Sequence, residues 1–227
     1  QLLQPDSEPL PAHMPSPRTF VGLFLITLST LMYQNLLSRV FSMTMWYHFA
    51  FMAISIALFG MTVGALIVYL MPKYFTVERA RYHLALSSLL FSITIVFSFL
   101  THLSLPFNTE NNIISTVPGI FTIVLTYTVI SIPFIFSGIC TTITLTRFTG
   151  QISRLYAFDL VGSALGCVVL LYVFKITDGP TAVIVVAVLA ALGAVMFSLH
   201  ERMPRILKTS LWTMGIFTAL AFGNTLL

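Results

Sequence analysis

The sequence predicts an all-α integral membrane protein, a polytopic bundle of about seven transmembrane helices. Three observations predict it. Hydrophobic residues make up 57% of the 227-residue chain and charged residues only 8%. A soluble domain carries about 25% charged residues to cover its surface. Mean hydropathy is +0.96. The apolar residues also fall in long runs, and roughly 20 of them suffice for a helix to cross a bilayer core about 30 Å thick. In lipid such runs are helices, because an open sheet would leave backbone groups unpaired.

Residues 1–18 carry Pro5, Pro9, Pro11, Pro15 and Pro17. Proline removes amide donors and blocks helix, so this stretch is expected to be a disordered, Pro-rich tail. It is too polar for a secretory signal, and the chain begins at Gln1, which points to processing or a fragment. The transmembrane domain is expected over 19–227. Its spans are placed at about 20–37, 47–70, 84–105, 118–145, 155–174, 181–199 and 209–227. The fourth is long enough to tilt, with a kink expected at Pro133. The fifth carries Asp159. The segment Pro106–Val117, with Glu110 and no basic residue, is expected to be the longest external loop.

Basic residues set the orientation. The tail and every second loop hold Arg18, Lys73, Arg79, Arg81, Arg147, Arg154, Arg202, Arg205 and Lys208, while the other face holds Arg39 and Lys175. Lys and Arg are retained in the cytoplasm, so the N-terminus is expected inside. The net charge of +4 then reflects topology, and no nucleic-acid partner is implied. Cys140 and Cys167 lie in apolar runs without metal-ligand spacing and read as free thiols.

Some residues invite functional readings. Asp159 in an apolar run is costly unless paired, protonated or close to the headgroups. It is either a proton or substrate site inside the bundle or a carboxylate near the start of its helix, beside Arg154. Gln34, Arg39 and His48 flank the connection between the first two spans. They could form an external polar pocket, or an interfacial turn with a snorkelling arginine. His48, His83, His102 and His200 lie near helix ends, and interfacial placement accounts for them without haem. Gly60 with Gly64, and Gly162 with Gly166, follow the small-xxx-small spacing that lets helices approach closely, inside the bundle or against a partner chain. Phosphate-binding turns, metalloprotease motifs and nucleophile elbows are absent from the sequence. No cofactor or metal is expected, and the chain alone reads as non-catalytic.

Two segments carry a resemblance. One runs from Tyr33-Gln34 through Arg39-Val40-Phe41-Ser42 and Tyr47-His48 to Gly60 and Gly64. The other is Ile152-Ser153-Arg154-Leu155-Tyr156-Ala157-Phe158-Asp159-Leu160-Val161-Gly162-Ser163-Ala164-Leu165-Gly166. Both resemble the transmembrane half of the bacterial multi-pass spermidine synthase-like proteins, in which a helical domain precedes a soluble aminopropyltransferase- or methyltransferase-like domain. The resemblance adds Tyr156 to the candidate polar residues. Gln34 stands where that family usually has an acid, Ser153 where it often has glycine, and the soluble catalytic domain is missing. The resemblance assigns the membrane half no activity; the many helix-packing features and the lack of a complete catalytic constellation lead to the expectation of a non-catalytic subunit or anchor, packed into a larger assembly or holding a synthase-like partner, in a bacterial inner membrane. The slim glycine faces would be the docking surfaces. The alternative is a small-solute or proton-coupled transporter using Asp159 with Arg39 or Arg154. A membrane enzyme acting on lipid comes last, because no nucleophile is recognisable.

Overall fold

The computed structural model describes residues 15–44, 50–104, 117–199 and 204–226. The described residues are all-helical, without strands. Seven helices follow one another: α1 (Pro17–Thr44), α2 (Ala50–Leu70), α3 (Val77–Ser104), α4 (Val117–Arg147), α5 (Ile152–Ile176), α6 (Gly179–Ser198) and α7 (Pro204–Leu226). A 3-10 turn, Thr149–Gln151, leads into α5. All seven are long and apolar enough to cross a membrane. The expected tail falls mostly on residues outside those described, as do His48 and most of the Pro106–Val117 loop.

Several helices outrun their apolar runs. Backbone hydrogen bonding does not stop where hydrophobicity does. α1 continues through Ser38, Arg39 and Ser42 to Thr44, so Tyr33, Gln34 and Asn35 do not end it. α3 starts at Val77 because Glu78, Arg79, Ala80 and Arg81 form helix readily, with Glu78 at the favourable N-terminal end. Pro17 occupies the first position of α1, where its missing amide removes no helical bond. α4 runs on through the buried Pro133.

The helices form two tiers. α1, α4, α3 and α6 close a ring in which each packs on the next. Their apolar spans are 61%, 56%, 56% and 67% buried, respectively. α2 lies against α4 and α1, α5 against α1, and α7 against α6. The spans of α5 and α7 are only 17% buried. α6 earns its central place through small side chains: Ala182, Ala187, Ala190, Ala191, Gly193 and Ala194 are all buried. With so little side-chain bulk, the α1 and α3 backbones approach it closely.

Glycines decide two crossings. On α2, a Cβ at Gly60 would sit 2.6 Å from Phe134 Cβ, and one at Gly64 would strike the Ile135 carbonyl oxygen of α4. Gly138 of α4 answers them, with the Met61 backbone against it. On α5, Gly162 meets Thr27 Oγ1 and the Phe24 carbonyl, while Gly166 meets the Leu28 carbonyl of α1. Both pairs of helices run parallel. The four glycines therefore serve contacts within this chain. Their faces are covered, so they do not offer the partner-docking surfaces expected from the sequence.

Candidate functional site

The inner ring carries a line of hydroxyl groups clasping neighbouring helices. Thr30 of α1 is hydrogen-bonded to Ser137 of α4. The Tyr33 hydroxyl pairs with Ser98 of α3 at 2.7 Å, and Ser92 donates to the Ala187 carbonyl of α6 at 2.7 Å. Other buried hydroxyls, among them Ser88, Thr144 and Ser198, donate to carbonyls four residues back on their own helices. Tyr33 is fully buried, with its ring 5.3 Å from that of Phe134. Because α1 extends to Thr44, Tyr33 lies near the helix midpoint and not at its outer end. Sequence reasoning missed this centre. Its signal was the recurrence of Ser and Thr inside α1, α3 and α4, which a span count treats as tolerated polarity.

The outer helices are tied in separately. Asn35 Nδ2 donates to Cys167 Sγ of α5 at 3.2 Å. The Tyr127 hydroxyl reaches Met52 Sδ of α2, and Asn224 of α7 donates to Thr181 of α6 at 2.7 Å. At one end of the bundle, Arg18 donates to the Leu199 carbonyl at 3.1 Å. At the other, the Arg39 guanidinium lies 4.8 Å from the centre of the Phe174 ring.

These positions separate the expected site residues. Asp159 is half-buried and shares the stripe of α5 that holds Leu155, Gly162 and Gly166. That stripe faces α1, where the neighbouring Phe158 ring lies 5.2 Å from Phe20. Asp159 is the eighth residue of α5, about 10 Å beyond its start, whereas a helix dipole acts chiefly within the first turn. It makes no hydrogen bond or ion pair among the described residues. Arg154 and Tyr156 are exposed on other faces of α5. Arg154 and Asp159 are five positions apart, which turns their side chains about 140° from one another. Arg39 is further still, since Phe174 beneath it stands roughly 22 Å along α5 from Asp159. The structure thus does not bring Asp159 together with either arginine. Gln34 and Arg39 likewise point to different faces of a continuous α1, so they do not build one pocket, and His48 lies outside the described residues.

The remaining titratable groups are dispersed. His83 Nε2 is 3.1 Å from the Tyr74 carbonyl, and buried His102 packs its ring 5.3 Å from Phe41. Among the described residues, no three His, Cys, Asp or Glu side chains group as metal ligands would. An open groove of about 500 Å³ runs between α2 and α4, lined by Ser55, Ile56, Phe59, Tyr127, Thr128 and Ser131. Its three Ser and Thr hydroxyls donate to carbonyls of their own helices. Comparison with protein-family models, with curated proteins and with solved structures finds no match.

An ionised carboxylate without a partner in apolar surroundings costs up to about 3 kcal/mol at the centre of a bilayer and less near its edge. Asp159→Asn is therefore expected to raise stability by about 1 kcal/mol. A reversible unfolding titration in mild detergent checks this, and a loss of stability would reveal a partner for the carboxylate.

Proposed function

We propose that this chain is an integral membrane protein whose seven helices cross the bilayer, and that it serves as a non-catalytic anchor or subunit of a larger membrane assembly. The observation that carries this reading is the division of labour among its side chains. Polar groups in the inner ring bind one helix to the next, and between the basic residues at their ends the large residues facing outward on α5 and α7 are apolar. Such an interior is a scaffold and leaves little for turnover. The resemblance of Tyr33–Gly64 and Ile152–Gly166 to the membrane half of the spermidine synthase-like proteins supports a synthase-like domain as the partner, and a bacterial inner membrane as the setting. The excess of basic residues at the end bearing Arg18, Lys73, Arg154 and Arg205 supports a cytoplasmic N-terminus.

With the glycine faces covered, the docking surface moves to the outer face of α5, where Leu160, Val161, Val168, Leu171 and Tyr172 are exposed. A photo-crosslinking residue at Val168 is expected to trap a discrete second protein in intact membranes. A chain that purifies in mild detergent as a lone monomer, with no adduct from Val168, would count against the anchor reading.

Transport is the second reading, and it rests on the depth and isolation of Asp159. It no longer includes Arg39 or Arg154. Loss of solute uptake into liposomes on Asp159→Asn, without loss of folding, would favour it over the anchor.

A further inference from the structure

We infer that the corner of the bundle where the α2–α3 turn meets the end of α4 binds the head group of an anionic phospholipid through Arg147. This inference rests on the membrane reading proposed above. Arg147 ends α4. It continues the stripe of Cys140 and Ile143, both buried. Ser87 of α3 lies beside the Cys140 thiol, and the two helices run antiparallel, so Arg147 stands level with Ala80. The Arg147 Nε is buried and has no hydrogen-bond partner among the described residues. A cationic group with one donor left without an acceptor is unfavourable, and an anion meeting the part of the Arg147 side chain that stays exposed would offset the charge.

The surroundings select the kind of anion. Met71–Thr76 forms the turn after α2, held to α3 by the contact between the Tyr74 carbonyl and His83, with the buried Phe75 ring tilted against the His83 ring at 4.9 Å. This fixes Lys73 near the start of α3, where Arg79 is also exposed. Arg81 adds a third positive charge to this stretch, and Glu78 is its only carboxylate. Tyr69, Tyr74 and Tyr82 are exposed at this end of α2 and α3, and amphipathic rings mark the depth of the lipid head groups. A guanidinium fork matches a phosphate oxygen pair. Basic pockets between helices on the cytoplasmic side are where anionic head groups settle.

The test uses the full chain in mild detergent, titrated with short-chain phosphatidylglycerol, short-chain phosphatidylcholine or inorganic phosphate, and read by calorimetry. Saturable binding is expected for phosphatidylglycerol alone, weakened about tenfold in Arg147→Gln. Equal affinity in the variant, or inorganic phosphate binding as tightly as the lipid, overturns the proposal. If Arg147→Gln does not fold, the Lys73→Gln/Arg79→Gln double variant replaces it. It is expected to bind about tenfold more weakly, and unchanged affinity again overturns the site. Carbonate washing of membranes separates the two levels of inference. A chain released to the supernatant refutes the membrane reading, and a chain that stays in the pellet but binds lipid independently of these side chains refutes only the head-group site.

Discussion

A single methyl group is expected to change stability in opposite directions at two glycines. Within a helix, Gly→Ala gains about 0.5–1 kcal/mol from reduced backbone freedom, while forcing an extra carbon into a filled interface loses about 1–3 kcal/mol. At Gly64 the new Cβ would strike the Ile135 carbonyl oxygen, lie 2.8 Å from Ile139 N and 3.1 Å from Gly138 C. All three are backbone atoms of α4, which cannot rotate out of the way as a side-chain tip can, so the penalty wins. At Gly215 of α7 nothing lies within 4 Å of the added carbon, so the gain wins. Gly64→Ala should therefore destabilise the purified protein by about 1–2 kcal/mol net, and Gly215→Ala should stabilise it by about 0.5–1 kcal/mol. Reversible unfolding in an SDS titration measures both. Equal effects at the two positions would mean that α2 does not lie against α4 as described.

The number and order of the helices were legible because each span is a long apolar run, and such a run in lipid has one stable form. Their ends were less so. Hydropathy fades before helical hydrogen bonding does, which is why α3 gained Val77–His83 and α1 gained Ser38–Thr44. That second extension also explains the misplaced pocket. A helix thought to stop near Leu37 puts Tyr33 and Gln34 at a membrane face, whereas one reaching Thr44 puts Tyr33 in the middle of the bundle. The glycine spacing foretold close approach but not the identity of the neighbour, because the absence of a Cβ is the same signal whether α1, α4 or another protein fills the space. Asp159 was conspicuous from its type alone. Its distance from Arg39 depended on the parallel register of α1 and α5, which no local pattern encodes.

Tyr33 is where removal of one side chain is expected to weaken the bundle most. Its ring fills the space between α1, α3 and α4, against Phe134, and its hydroxyl reaches Ser98. These two contributions differ in size. Buried aromatic-to-alanine changes lose about 3–5 kcal/mol through lost burial and the cavity left behind. An interhelical hydrogen bond in a membrane protein contributes only about 0.6–2 kcal/mol, because Ser98 can turn to a carbonyl of its own helix. Tyr33→Ala is thus expected to lose about 3–5 kcal/mol and Tyr33→Phe no more than about 2 kcal/mol. A double-mutant cycle with Ser98→Ala isolates the hydroxyl pair, with a coupling of about 0.6–2 kcal/mol. If Tyr33→Phe instead lost as much as Tyr33→Ala, the hydroxyl would be supporting more than one serine. The centre of the ring would then be a polar network with a role of its own, and the scaffold reading would give way to one in which Tyr33, Thr30 and Ser137 handle a proton or a solute.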